Sequence, residues 1–323
     1  MKTLILACFL SLVITLISGR FIIPILKKIK AGQTVLKYVE THKDKNGTPT
    51  MGGLFFVLSA TVIFIAFGGY VGRVAIVCLS IGLAFLIVGF IDDFIKIRFH
   101  QNEGLKAYQK IIFQFSIAIV AGVFAYKNSI TLFNLPFVNT SIELGIWTIP
   151  IVSIIFIAIT NSVNLTDGLD GLAGSVSAVY LVSISALILL QTSYSLSNIE
   201  KQQILLLSFC LLGSVLGFLF YNTNKASVFM GDTGSLSLGG FLGAISIFSS
   251  NSFFIPIIGI MFVLSSISVI VQVAYFKRTK KRVFLMAPLH HHFQLKGFSE
   301  AKITYCYALI TTVMGILSVA FLL

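Results

Sequence analysis

Long apolar stretches separated by short polar loops follow one another along the whole chain. About 20 helical residues, rising about 1.5 Å each, cross the roughly 30 Å hydrocarbon core of a bilayer. A weak apolar–polar alternation between residues 128 and 143 predicts a small β-hairpin. The pattern therefore predicts a single all-α polytopic membrane domain, residues 1–323, with this hairpin between its fourth and fifth spans. The ten predicted spans are 3–26, 53–71, 74–91, 108–126, 145–160, 172–191, 203–221, 235–250, 253–276 and 303–322.

The composition agrees with a membrane protein. The chain is 57% hydrophobic and only 11% charged, whereas soluble domains have about 25% charged residues. All four cysteines lie in apolar stretches, so neither a disulfide framework nor a zinc site is predicted. The first stretch follows Met1 and Lys2 as the core of a signal peptide would, but it has no clear cleavage site. We therefore expect an uncleaved first span.

Charged residues are distributed unevenly between the two sets of loops. Eighteen of the 23 lysines and arginines lie in or directly beside the loops after odd-numbered spans. Cytoplasmic loops carry the excess of positive charge, so these loops are predicted to face the cytoplasm, with both termini outside. All six aspartates and all five histidines lie in or beside the same loops. The cytoplasmic face is therefore predicted to carry the chemistry.

A polar run from 161 to 171, NSVNLTDGLDG, stands where the fifth span ends. A solvated turn would explain one aspartate as a cap and one glycine with positive φ. It would not explain Asn161, Asn164, Asp167 and Asp170 together, because an acid costs about 2.5–3.5 kcal/mol near the centre of a membrane helix. The run therefore indicates a functional loop.

Two further acidic motifs lie at helix ends. Asp92 and Asp93 end the third span with Lys96 one turn later, which could be an ordinary i,i+4 ion pair. Two adjacent carboxylates at a helix C-terminus nevertheless oppose the helix dipole, unless a cation lies beside them. Asp232, in GDTGS, could cap the eighth span, but beside the other acids it indicates a ligand for Mg²⁺.

Two more motifs lie in the cytoplasmic loops. Residues 290–292 are three consecutive histidines, which cannot share one helical face and lack the spacing of a zinc site. Histidine can donate hydrogen bonds to phosphate oxygens near neutral pH. The loop before the second span, with Lys45 and Thr50, is either an interfacial anchor or part of a phosphate or base pocket. Together the motifs favour a transferase that acts on phosphate at the inner membrane surface.

Five motifs in order carry a family resemblance: GTPTMGG at 47–53, DDFIK at 92–96, NSVNLTDGLDGLA at 161–173, GDTGS at 231–235 and PLHHHF at 288–293. The chain resembles the phospho-N-acetylmuramoyl-pentapeptide-transferases, a branch of the polyprenyl-phosphate N-acetylhexosamine-1-phosphate transferase superfamily. Departures from the family pattern are Ser162 and Ser237, where alanine is common, and Gln294, where glutamate is common.

The resemblance implies a Mg²⁺-dependent enzyme of peptidoglycan biosynthesis in the bacterial cell membrane, with its active site on the cytoplasmic side. Undecaprenyl phosphate would attack the β-phosphate of UDP-N-acetylmuramoyl-pentapeptide, giving UMP and the lipid-linked diphosphate sugar called lipid I. A break in the ninth span is expected to expose a groove for the prenyl chain. No nucleic-acid partner is expected, and the oligomeric state, with a homodimer as one option, is left open.

The same resemblance assigns roles to the polar residues. Asp232 is the expected Mg²⁺ ligand, with Asp92, Asp93 and Asp167 as further candidates. Asp92 is expected to orient the lipid phosphate or act as a base, and Asp93 to organise the metal and Lys96. The expected catalytic residues are Asp92, Asp93, Asp232, His290, His291 and His292. The expected substrate-binding residues are Lys45, Thr50, Lys96, Asn161, Asn164, Asp167, Gly168, Leu169, Asp170, Phe229 and Gln272.

Two other functions are possible for a chain with these motifs. A transferase of the same fold could use another nucleotide sugar, such as UDP-N-acetylglucosamine. A proton- or cation-coupled transporter could also use membrane acids as a relay. A transporter should place its acids near the bilayer midplane and often has two repeats. Here the acids lie at one face and no repeat is apparent, so the transferase is preferred.

Overall fold

The computed structural model describes residues 1–29, 47–99, 103–138, 140–191, 196–223 and 225–322. Helices account for most of these residues, and two short strands form the only sheet among them. The helices within the described ranges are α1 (Lys2–Lys28), α2 (Gly53–Ala66), α3 (Arg73–Arg98), α4 (Ala107–Lys127), α5 (Thr148–Thr166), α6 (Leu172–Leu190), α7 (Asn198–Asn222), α8 (Gly231–Phe248), α9 (Ile255–Ile258), α10 (Ile260–Thr279), α11 (Leu289–Leu295) and α12 (Glu300–Ala320).

The predicted helical, polytopic architecture is confirmed. Eight helices of the described residues are long and apolar enough to cross a membrane, namely α1, α3, α4, α5 with the turn before it, α6, α7, α10 and α12. α2 is apolar but has 14 residues, and α8 has 18 residues with many glycines and serines. The count of ten spans and the location of the termini therefore stay predictions.

α8 is the central helix of the bundle. Every residue from Thr233 to Phe248 is buried. A Cβ at Gly53 of α2 would overlap the backbone of Gly234, and a Cβ at Gly89 of α3 would overlap the carbonyl of Asp232. Small residues allow membrane helices to approach this closely. The glycines therefore bring the N-terminus of α8 against α2 and α3, which places Asp232 inside the bundle.

The ninth predicted span is interrupted. It comprises the single turn of α9 and the longer α10, with Gly259 between them. The described helix α10 presents Ile267, Ile270 and Val271 outward as exposed apolar side chains. An interruption was expected from the family resemblance, while the prenyl groove itself stays a prediction.

The end of the bundle away from Asp232 is fixed by a separate set of polar contacts. Strands β1 (Leu132–Asn134) and β2 (Ser141–Glu143) pair antiparallel, in the region where the sequence pattern predicts a hairpin. The backbone N–H of Asn134 donates to the carbonyl of Ser250 at 2.8 Å. The Glu200 carboxylate accepts from the first backbone N–H groups of α3, each at 3.0 Å. These contacts cap helix ends and do not form a cluster of acids.

Candidate active site

Four helices bring polar side chains to one end of the bundle. The last turns of α3 carry Asp92, Asp93 and Lys96, and the first turn of α4 carries Lys110. The C-terminal turn of α5 carries Asn164, and the N-terminus of α8 carries Asp232. Residues distant in the sequence therefore meet because helix ends of opposite chain direction lie side by side.

Three carboxyl groups form a compact cluster. Asp92, Asp93 and Asp232 each offer an oxygen, and these oxygens lie within 4.8 Å of one another. The Lys96 ammonium lies 2.6 Å from Asp92 Oδ2, 3.5 Å from Asp93 Oδ1 and 3.0 Å from Asp232 Oδ2. Lys110 Nζ lies 2.5 Å from the same Asp232 oxygen and 3.8 Å from Asp92 Oδ1. Two cationic side chains thus offset part of the repulsion among three acids.

Hydrogen bonds from backbone and side-chain donors fix the orientation of these three carboxyl groups. Asp93 Oδ2 accepts hydrogen bonds from the backbone N–H of Thr233 at 2.9 Å and from its hydroxyl at 2.7 Å. Asp93 thereby satisfies a free donor at the N-terminus of α8, where negative charge is favourable. Asp92 Oδ1 accepts from the N–H of Leu105 at 2.9 Å. Asn164 donates from Nδ2 to Asp232 Oδ1 at 2.7 Å.

The donor set of this cluster suits a metal ion. Asp93 Oδ1 is buried and makes no hydrogen bond within the described ranges, and the Lys96 ammonium lies 3.5 Å from it. Buried carboxylates are costly unless they are paired with cations, and the three carboxyl groups here outnumber the two lysines. Carboxylate oxygens are the ligands that hard divalent cations prefer. The cluster of Asp92, Asp93 and Asp232 can therefore bind a metal ion.

The segment before α2 is paired with the segment before α8. Phe229 N–H donates to the carbonyl of Pro49 at 2.8 Å, and Gly52 N–H donates back to the carbonyl of Phe229 at 2.9 Å. This pairing places Thr50 beside the acids. Its side chain is 1% exposed, and its hydroxyl has no hydrogen-bond partner among the described residues.

Gly231 lies at the closest point between Thr50 and Asp93. Its φ is +71°, which L side chains rarely adopt. A Cβ there would lie 2.5 Å from Asp93 Oδ2 and 2.5 Å from the Thr50 hydroxyl oxygen. Glycine at this position therefore meets both a conformational and a steric requirement.

The histidines of α11 lie over the loop that follows α5. His290 is fully buried, and a Cβ added to Gly168 would overlap its Nε2. The rings of His290 and His291 have centroids 4.4 Å apart. Burial, with a smaller effect of His291, lowers the pKa of His290 to about 3, so this imidazole is neutral near pH 7. Neither of its ring nitrogens has a hydrogen-bond partner in the described part of the chain.

Asp167 follows the last residue of α5 and precedes Gly168. Burial raises the pKa of its carboxyl to about 8, with further contributions from the charges of Asp232, Asp93 and Asp170. Asn164, three residues before Asp167, donates a hydrogen bond to Asp232, so the start of this loop adjoins the acidic cluster. The sequence predicts that Asp167 lies in the loop, but its proximity to Asp232 depends on the fold.

Several other predicted residues make contacts that fix loops. Asp170 Oδ2 accepts from the N–H of Ala226 at 2.9 Å. Gln272 Oε1 accepts from the N–H groups of Val283 and Phe284, at 3.1 and 3.0 Å. Asp170 and Gln272 therefore each hold a neighbouring loop in place through its backbone, and their contact with substrate stays a prediction.

The remaining predicted residues are placed as follows. His292 Nδ1 accepts from the N–H of Leu285 at 3.1 Å, and Asn161 Nδ2 donates to Gln114 Oε1 at 2.7 Å. Leu169 is buried beside Gly168, and Phe229 is partly exposed. Lys45 lies outside the described residues.

Lys110 is the main residue that the sequence analysis missed. It lies inside the predicted fourth span, three residues from the start of α4. A lysine at this position would be expected to lie at the membrane interface. A lysine inside an apolar stretch is unfavourable, and this was the available signal. Its partner Asp232 is 122 positions away, so the sequence could not identify the pair.

These features are those of a polytopic helical membrane protein with a metal-competent acidic site at one end of its bundle. Residues 74–250 match glycosyl transferase family 4, and residues 45–57 match the phospho-N-acetylmuramoyl-pentapeptide-transferase signature 1. The chain belongs to the phospho-N-acetylmuramoyl-pentapeptide-transferase family.

Relatives that bear this family's name align over nearly the whole chain. The phospho-N-acetylmuramoyl-pentapeptide-transferase of Clostridium botulinum (strain Alaska E43 / Type E3) is 41% identical over 98% of this chain and 95% of its own. That of Caldanaerobacter subterraneus subsp. tengcongensis is 40% identical over 97% of this chain and 96% of its own. That of Clostridioides difficile (strain 630) is 40% identical over 96% and 95%. The resemblance first inferred from five motifs is thus confirmed.

Proposed function

We propose that this chain transfers phospho-N-acetylmuramoyl-pentapeptide from its UDP-activated form to undecaprenyl phosphate, giving lipid I and UMP. The observation that carries the proposal is the cluster of Asp92, Asp93 and Asp232 with Lys96 and Lys110. In this reaction two anions must approach each other, so the main barrier is electrostatic. Metal ligands and ammonium groups in one place are what such a phosphoryl transfer requires.

Magnesium is the cation that we propose for the cluster. Asp232 is its principal ligand, with Asp92 and Asp93 as neighbouring carboxylates and Asp167 as a further candidate. Mg²⁺ usually takes one or two protein carboxylates and keeps its other positions for water and phosphate. When bound, it supplies charge neutralisation on the diphosphate of the donor.

The two lysines bind phosphate oxygens of the substrates. Lys96 and Lys110 present ammonium groups that can turn from carboxylate to phosphate, because each is a point charge on a flexible stem. A phosphate monoester has a second pKa of about 6, so the lipid phosphate is largely dianionic at neutral pH. The nucleophile therefore needs little help from a base, and Asp92 serves mainly to orient it.

The nucleotide-sugar part of the donor is held by the loop after α5 and by α11. Asn164, Asp167, Gly168 and Leu169 contact the uridine and diphosphate, and residues 290–292 contact the sugar-phosphate. The His290 ring lies so close to Gly168 that a Cβ added there would overlap its Nε2, and this proximity supports a shared binding surface. Lys45, Thr50 and Phe229 complete the nucleotide pocket in this proposal.

The active site faces the cytoplasm of a bacterial cell. The lysine- and arginine-rich loops follow odd-numbered spans, and the acids and histidines lie with them. This orientation gives a water-soluble UDP donor access to the site, while the prenyl chain of the acceptor stays in the bilayer.

The test is a reconstitution. The purified full chain, Mg²⁺, undecaprenyl phosphate and UDP-N-acetylmuramoyl-pentapeptide labelled in its sugar should give a labelled lipid-extractable product and one UMP per product. The Asp232→Asn variant should lose Mg²⁺-dependent turnover while it still elutes as a folded protein in detergent. UDP-N-acetylglucosamine is the competing donor, and product from that donor alone would refute the proposal.

A further inference from the structure

Hydrogen bonds connect the histidines of α11 to the first turn of α12. His291 Nδ1 lies 3.1 Å from Gln294 Oε1, and Gln294 Nε2 donates to Glu300 Oε1 at 3.3 Å. Glu300 Oε2 in turn accepts from the backbone N–H of Asp170 at 3.3 Å. The connection therefore runs from His291, whose ring lies against Gly168, back to the loop that contains Gly168.

The chemistry of these groups fixes the direction of each hydrogen bond. A carboxylate accepts hydrogen bonds and donates none, so Glu300 selects the amide nitrogen of Gln294. The amide oxygen of Gln294 then faces His291, and an amide oxygen can only accept. We propose that Glu300 and Gln294 are positioning residues that hold His291 in the tautomer with the proton on Nδ1.

This tautomer gives His291 a defined recognition role. Its Nε2 lies 3.2 Å from the position that a Cβ of Gly168 would take, so it faces the candidate nucleotide loop. An unprotonated ring nitrogen accepts hydrogen bonds, whereas a phosphate oxygen is itself an acceptor. His291 is therefore matched to a hydroxyl or N–H group of the sugar or base. The identity of that ligand rests on the proposed function, but the tautomer does not.

The test is Glu300→Gln in the full-length protein labelled with ¹⁵N-histidine, observed by NMR in detergent. The new amide at position 300 keeps its oxygen toward the N–H of Asp170 and turns its nitrogen toward Gln294. Gln294 must then present its oxygen to position 300 and its nitrogen to His291. The proton is expected to move from Nδ1 to Nε2 of His291, and the spectrum of His291→Gln identifies the signals.

The double variant Gln294→Glu with Glu300→Gln is the matched control, because it keeps the side-chain sizes and the total charge. The new carboxylate at position 294 accepts from Nδ1, so the original tautomer should return. The single variant is expected to lower turnover about 10–100-fold, the range found when a partner that orients a metal-bound histidine is lost. The double variant should recover most of that loss.

Two outcomes would overturn the inference: an unchanged His291 tautomer in Glu300→Gln, or a double variant that does not restore it. If Glu300→Gln fails to fold, Gln294→Met removes the same connection, and a mixture of both tautomers is expected instead; a single Nδ1–H form there would also overturn it. If Glu300→Gln shifts the tautomer but the parent protein is inactive with the muramoyl donor, the proposed function is refuted and the inference about the tautomer stands.

Discussion

Asn164 holds one oxygen of the Asp232 carboxylate. Its Nδ2 donates to Asp232 Oδ1 at 2.7 Å and lies 2.8 Å from the hydroxyl oxygen of Ser235. The other oxygen, Oδ2, faces Lys96 and Lys110. The amide thus sets the rotation of a carboxylate that the proposed metal would share.

Asn164→Ala should therefore weaken metal binding without unfolding the protein. Loss of a group that orients a ligand typically costs about 10–100-fold in metal affinity or activity. We expect the Mg²⁺ concentration for half-maximal turnover to rise by that order. The effect is measured as turnover against Mg²⁺ concentration. Asn128→Ala is the control, because Asn128 is an exposed amide that follows the C-terminus of α4, far from the acidic cluster. An unchanged Mg²⁺ requirement would contradict the role.

Lys110→Gln should change metal affinity and substrate affinity in opposite directions. Removal of this ammonium, 2.5 Å from Asp232 Oδ2, leaves three carboxyl groups with one lysine, so a divalent cation should bind about tenfold more tightly. Phosphate substrates lose a cationic partner, so KM should rise by about tenfold. Mn²⁺ binding followed by electron paramagnetic resonance gives the first quantity, and steady-state kinetics give the second.

Lys106→Gln is the matched control for Lys110→Gln. It makes the same charge change one turn earlier, at the exposed residue that precedes α4. A long-range effect of net charge would alter both variants alike, whereas the proposed contact predicts an effect at Lys110 only.

The sequence could predict which acidic residues belong to the site, but not all of the contacts that they make. Asp92, Asp93 and Asp232 were identifiable because ionised groups at membrane-helix ends are costly and need a reason. The loop charges predict that these acids lie at one face of the membrane, and their close contact is seen in the structure. The pairing of Lys110 with Asp232 was not accessible, because it depends on which helices are neighbours. Asp170 also lies in a site motif, and the sequence could not show that its carboxylate accepts a hydrogen bond from the N–H of Ala226. Its contact with substrate stays a prediction.

Gly231→Ala should remove activity and lower stability. The new Cβ would lie 2.5 Å from Asp93 Oδ2 in a backbone conformation with φ of +71°. Left-handed backbone alone costs about 1–2 kcal/mol for a residue with a side chain. The clash adds to this and displaces Asp93 from the N-terminus of α8. Thermal unfolding in detergent and turnover measure the two effects.

Gly68→Ala separates backbone strain from the clash at Gly231. Its φ is +79°, and nothing lies within 4 Å of the position of its Cβ. It should show the strain cost alone and keep full turnover. Equal losses of stability and activity in both variants would show that the contact with Asp93 is unimportant.

Asp167 should make the stability of the metal-free protein depend on pH. Its pKa is about 8 in the folded protein, above the ordinary value of 3.8. The folded state therefore holds a proton that the unfolded state releases, so the stability contribution is full below about pH 4 and is lost as pH rises through about 8. Asp167→Asn mimics the protonated form and does not titrate. The excess of its Tm over that of the parent protein should grow between about pH 4 and pH 8 and then level off, and a difference independent of pH would refute the raised pKa.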